Sequence, residues 1–273
     1  MLRRHRFGVP ALLVMSAYVV AVAVAAGVAS SVGDLGVLWR LTLFSEMDED
    51  VAPTWPNALA LVLAGTAWAW ALWQSLRGPL AGPPPELDRD VRRLRVALYA
   101  AVASWLFYFF MSSWPWWVTV LDAAAMGAVV VLFHPVLARD PKHADRTRAL
   151  GVLAYGGVAA LEVLDVLGRP VPRGLSLVCG LAGLFWTVLV LRAQRQDGRW
   201  RRTTVLYGVA SLLLPVALWL VGWALIGADN AYYAVVETVD ALAMVWLARS
   251  AHDLADPRPQ PALPSSLSAR PQG

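Results

Sequence analysis

The chain predicts an all-helical membrane bundle of eight spans, and three observations carry that expectation. Its 273 residues are 58% hydrophobic and only 15% charged, whereas a soluble domain carries about 25% charge. Several apolar stretches run close to 20 residues, enough to cross a hydrocarbon core roughly 30 Å thick. The Lys and Arg residues gather in alternate connecting segments, as the positive-inside bias of membrane proteins requires.

The spans read 7–29, 57–76, 94–112, 117–138, 149–167, 174–192, 203–226 and 231–249. They make residues 1–252 a transmembrane domain, and the Pro/Ser-rich stretch 253–273 a disordered cytoplasmic tail. Span 1 follows Arg3, Arg4 and Arg6 and ends in small residues from Ala25 to Ser31. That order also describes a signal peptide, but the apolar run is longer than the usual ~7–15 residues and predicts a retained helix. Cleavage there would leave seven spans. Loop 30–56 is acidic at Glu46, Asp48, Glu49 and Asp50, and its run from Val37 to Phe44 predicts a short amphipathic helix along the membrane surface. After span 2, Gly78-Pro79 and Pro83-Pro84-Pro85 interrupt the chain, and a charged stretch caps span 3. Trp114, Trp116 and Trp117 precede span 4 and Tyr232 and Tyr233 precede span 8, where an interfacial aromatic belt belongs.

Placing the N-terminus in the cytoplasm puts 20 of the 23 Lys and Arg residues in inner segments, with only Arg40, Arg169 and Arg173 outside. Both termini are therefore predicted to be cytoplasmic in a multi-pass protein of the cell membrane. The pI of 9.6 then belongs to the inner face, spread over short loops, and does not predict a nucleic-acid partner. The lipid bilayer is the expected partner. The basic loop 192–202 and the tail are the expected contacts for a cytoplasmic protein. Cys179 is the single cysteine, so no intrachain disulfide forms. No Cys/His cluster, phosphate-cradling Gly-rich loop or nucleophile elbow is present, so neither an enzyme nor a metal site is expected.

Two short runs share one pattern: Asp122-Ala-Ala-Ala-Met126 and Asp240-Ala-Leu-Ala-Met244 lie 118 residues apart. Ala64-Gly65-Thr66-Ala67-Trp68 and Ala182-Gly183-Leu184-Phe185-Trp186 keep the same offset. Spans 1–4 and 5–8 thus read as two copies of a four-helix unit, a parallel repeat.

Five carboxylates fall within spans: Asp122, Glu162, Asp165, Glu237 and Asp240. All lie in the outer half of the bilayer, and Glu162/Asp165 and Glu237/Asp240 are each spaced to share one helix face. No Lys or Arg lies at that depth, so the group is a candidate proton relay or cation site. The mundane alternative is that some of them hold helices together or meet water. Asp165 also lies near Arg169 and Arg173 at the interface. His134 precedes Pro135 near the inner end of span 4 and reads as a helix-end residue more readily than as a second proton station.

The last two spans hold Thr203-Thr204-Val205-Leu206-Tyr207 leading to Pro215-Val216-Ala217-Leu218-Trp219-Leu220-Val221-Gly222, and then Glu237-Thr238-Val239-Asp240-Ala241-Leu242-Ala243-Met244. These two runs resemble the sixth and seventh helices of the microbial rhodopsins. The resemblance implies a seven-helix core over spans 2–8, with span 1 additional, and Asp240 at the counter-ion position. Asp122 would then be the carboxylate of the third helix. The same mapping puts Met244 where the family keeps the lysine that binds retinal, and no span contains a lysine. A thioether cannot form an imine, so no covalent retinal cofactor is expected, whereas a non-covalent chromophore stays open. Thr119 also replaces the family's arginine before the third-helix carboxylate, and Ser211 and Leu214 replace aromatic pocket residues.

Two functional readings follow. One is a retinal-free, opsin-like protein in a sensory, scaffolding or partner-binding role. The other is a proton- or cation-coupled carrier that uses Asp122 and Asp240.

Overall fold

The computed structural model describes residues 5–44, 53–82, 87–109, 116–137, 141–169, 173–224 and 238–256. These residues form helices joined by turns, with a single isolated antiparallel bridge between His5 and Leu80. In chain order the helices are α1 (Gly8–Val32), α2 (Gly36–Leu43), α3 (Trp55–Leu76), α4 (Arg89–Phe109) and α5 (Trp116–Leu137). They continue with α6 (Pro141–Gly151), a π turn (Val152–Gly156), α7 (Gly157–Val166), α8 (Arg173–Asp197) and α9 (Arg202–Ala224). A 3₁₀ turn (Thr238–Asp240) then opens α10 (Ala241–Asp253).

Among the described residues five helical segments are long and apolar enough to cross a membrane: Gly8–Val32, Trp55–Leu76, Trp117–Val136, Ala144–Val166 and Gly174–Asp197. The expectation of eight is not met there, for local reasons. Helix α4 opens on Arg89, Asp90, Arg92, Arg93 and Arg95, which shortens its apolar part. In α9 the continuously described apolar stretch runs only from Arg202 to Leu218, and the loop and half-span 225–237 before α10 lie outside the described residues. Large apolar side chains are bare on the bundle surface, including Leu13, Val20, Leu177 and Leu213, each more than 60% exposed. So much uncovered apolar surface requires a non-aqueous neighbour, which a bilayer supplies.

The chain closes its first hairpin with conformations its residues favour. Gly33 takes the left-handed φ of 75° that ends α1, and its N–H bonds to Ala29 O at 2.9 Å. Asp34 Oδ1 accepts from Gly36 N at 2.8 Å and starts α2. Helix α2 forms as expected, but it packs on α1 and α3 with Leu38, Trp39 and Thr42 buried, and Tyr18 Oη donates to Leu41 O at 2.8 Å. Gly65 lets α3 approach α1 closely, since a Cβ there would sit 2.9 Å from Val22 Cγ1. Such close backbone approach is how membrane helices gain packing energy without a hydrophobic drive.

The tandem-repeat expectation is not carried by the fold. Helix α2 occupies the first connection of the first half, whereas only six residues separate α7 from α8. The second half in turn has a π turn where α1 is continuous.

The main core joins Trp68 of α3, Leu94 and Leu98 of α4, Val129 and Phe133 of α5, Trp186 and Val190 of α8, and Met244 to Leu247 of α10. Trp186 is its hub. Tyr155 meets it edge-on at 5.5 Å between ring centroids, and Phe133 and Trp246 each lie at 6.3 Å. Helix α10 packs against α3, α4 and α9 together. Packing also continues past the expected tail boundary, because Asp253, Leu254 and Ala255 are buried.

Candidate functional site

Of the five carboxylates, Asp122 alone reaches a polar partner inside the bundle among the described residues. It lies two turns into α5, half-buried, and Ser104 Oγ of α4 donates to its Oδ1 at 2.9 Å. The π turn carries Tyr155 against Trp186. Glu162 and Asp165 do not join this group; both are exposed on α7. Asp240 ends the 3₁₀ turn, but its side chain and the whole of Glu237 lie outside the described residues. The geometry of an Asp122–Asp240 pair is therefore not part of the described structure.

Met244 is completely buried, at 0% exposure, within the apolar core. Its neighbours in sequence, Val245, Trp246 and Leu247, are buried with it. At the other end of α5, His134 Nε2 lies 3.0 Å from Asp145 Oδ1 of α6. That contact ties two helix ends together, which is the helix-end role its sequence position suggests. Nearby, Arg199 binds Asp197 and the Val136 carbonyl, joining the α8–α9 turn to α5.

A denser polar cluster, not singled out by the sequence reading, lies where the N-terminus, the turn after α3, the start of α9 and the end of α10 meet. Arg6 N bonds Pro79 O at 3.1 Å and Phe7 N bonds Arg77 O at 3.2 Å. Gly78 makes the turn with φ of +71°, and the Phe7 ring covers it so closely that a Cβ would lie 2.6 Å from Phe7 Cδ2. Asp256 Oδ1 accepts from Leu80 N at 2.7 Å, while its Oδ2 accepts from the Arg201 guanidinium at 2.6 Å. Asp253 Oδ2 accepts from Thr204 Oγ1 at 2.5 Å and from Arg201 N at 2.9 Å. Gln194 of α8 links the same region to the core, donating to Ser250 Oγ at 3.0 Å and accepting from Trp246 Nε1 at 2.9 Å.

Charge in this cluster is unevenly matched. Arg249 is 5% exposed and His252 1% exposed, and Arg77 and His5 stand close enough to act on both. Burial pushes the His252 imidazole down to about 3, and Arg249, Arg77, His5 and Arg95 push in the same direction. Burial and then Arg249 lower Arg77 to about 10. The Asp253 carboxyl is held above the usual carboxylate range by burial, against the pull of the Thr204 and Arg201 donors. The sequence offered only a weak signal for this cluster: a His and an Asp directly after a predicted span, beside arginines counted as loop charges. Tertiary packing converts those loop charges into buried ones.

No family model, curated protein or solved structure matches this chain.

Proposed function

We propose that the chain is a membrane scaffold of opsin-like helix arrangement, with no covalent chromophore and with both termini in the cytoplasm. The observation that carries this reading is Met244, fully buried among apolar side chains at the position where the resemblance expects the retinal lysine. A filled apolar centre suits a scaffold better than a carrier, which needs a polar path. Support for the arrangement comes from α10, which packs on α3, α4 and α9 as a last helix closing a ring would. On this reading α4, α9 and α10 complete the spans. The N-terminus, the 77–82 turn and Asp256 share one end of the bundle, which accords with two termini on one side.

Two measurements test it. Purified full-length protein in liposomes is expected to carry no proton current or solute uptake under a pH gradient. Uptake that Asp122→Asn abolishes would reverse the assignment in favour of the carrier, the reading that the Ser104–Asp122 contact favours. Impermeant maleimide on whole cells is expected to label a cysteine at position 40 and to spare one at position 77, both built on Cys179→Ser. The opposite labelling would invert the topology.

A further inference from the structure

The cluster at the end of α10 buries two guanidinium groups and two imidazoles whose polar atoms are incompletely partnered. Among the described residues, Arg77 Nε, Arg249 Nε, His5 Nδ1 and both ring nitrogens of His252 are buried without a hydrogen-bond partner. Of the two nearby carboxylates, Asp256 serves Leu80 N and Arg201, and Asp253 serves Thr204 and Arg201 N through Oδ2; its Oδ1 is buried without a hydrogen bond, 3.7 Å from Arg201 Nε, and so offsets one of the unpartnered donors. Neither Arg77 nor Arg249 forms an ion pair among the described residues. The α10 C-terminus favours nearby cations by its dipole, but a dipole does not satisfy buried N–H groups. A charged group's donor left buried and unpaired forfeits its hydration without replacement, and like charges add repulsion.

We propose that His5, Arg77, Arg249 and His252 form a binding site for a phosphate group. A tetrahedral oxyanion brings several acceptor oxygens and negative charge to one point, which is what these unpartnered guanidinium and imidazole groups lack here. Guanidinium groups match phosphate oxygens in geometry as well as charge. Neutral His252 supplies one N–H donor without adding to the repulsion. The site lies at the end of a membrane bundle, where basic pockets between helices receive lipid headgroups; free phosphate offers the same chemistry. The Arg95 guanidinium, 5.6 Å from the Tyr99 ring centroid, and Tyr99, whose ring is 5.7 Å from that of His252, border the cluster on the α4 side. The proposal does not depend on whether the chain is a scaffold or a carrier.

The test uses the full chain in maltoside micelles, which contain no phosphate. Sodium phosphate is titrated in one arm and dioctanoyl phosphatidylglycerol in the other, with sodium chloride at matched ionic strength as control. Thermal unfolding and phosphorus-31 line broadening are followed. A saturable rise in Tm with broadening is expected in at least one arm and not with chloride; the responding arm identifies the source. Arg77→Gln and Arg249→Gln are each expected to weaken binding about tenfold or more, and Arg40→Gln, at the other end of the bundle, to leave it unchanged. The unaltered protein decides the matter even if a variant fails to fold. No saturable response in either arm would overturn the site, as would undiminished binding by both folded arginine variants.

Discussion

The Trp246 indole N–H donates to Gln194 Oε1 at 2.9 Å, deep between α10 and α8. Gln194 also donates to Ser250 Oγ at 3.0 Å, and neither Gln194 nor Ser250 is exposed. One amide thus satisfies two groups on the last helix, one turn apart. Replacing it with Leu keeps the bulk but strands the indole N–H, at a cost of about 1–3 kcal/mol. Denaturant titration in micelles measures this. Adding Trp246→Phe to Gln194→Leu is expected to recover part of the loss, because the stranded donor disappears.

Gly208 sets how closely α9 approaches its neighbours. A Cβ there would lie 2.3 Å from Leu191 Cδ2 and 3.0 Å from the Trp246 ring. Gly208→Ala is expected to destabilise by about 1–3 kcal/mol through overpacking. Gly127→Ala is the control, since nothing lies within 4 Å of its would-be Cβ. There the loss of backbone freedom in the unfolded chain predicts a neutral or slightly stabilising change.

Stability is expected to rise with pH between about 3 and 6.5, because of His252. Its folded value near 3 lies below its ordinary 6.5. Between those values the unfolded chain binds more protons than the folded one, so acidification favours unfolding. His5 is lowered too, by burial and then by Arg77, and adds to the slope in the same direction. His252→Phe removes the larger part. A plot of Tm against pH that keeps its full slope in this variant would contradict the assignment.

Met244 fills the centre of the core, so Met244→Ala opens a cavity and is expected to cost about 2–5 kcal/mol. All-trans retinal added to the unaltered protein is expected to give no red-shifted, hydroxylamine-sensitive band. Such a band would show an imine at another amine and would end the retinal-free reading.

The helical class and five of the apolar spans were legible in the sequence because they depend on run length and charge placement. The helix from Val37 was legible as well, from the apolar run Val37 to Phe44. Its burial against α1 and α3 was not, because that depends on the small interface residue Gly65 on another helix. Glu162 and Asp165 show a second limit. Periodicity at 3.6 residues carries no signal for the π turn at 152–156, which adds a residue to the helix and rotates everything after it by about 100°. Both carboxylates then emerge at exposed positions, away from Asp122. The cluster around His252 was least legible. Its members come from four separated stretches, and a charge beside a membrane span looks solvated until the fold covers it.

Helix α10 has a consequence for how the protein is made. It packs on α3 and α4, yet more than 130 residues separate the end of α4 at Phe109 from the start of α10 at Ala241. During translation the early helices must therefore wait in the bilayer with one flank uncovered until nearly the whole chain has emerged. Partners that shelter unfinished membrane proteins would meet this flank first. Loss of the final dozen structured residues would be expected to leave the nascent chain open to membrane proteases.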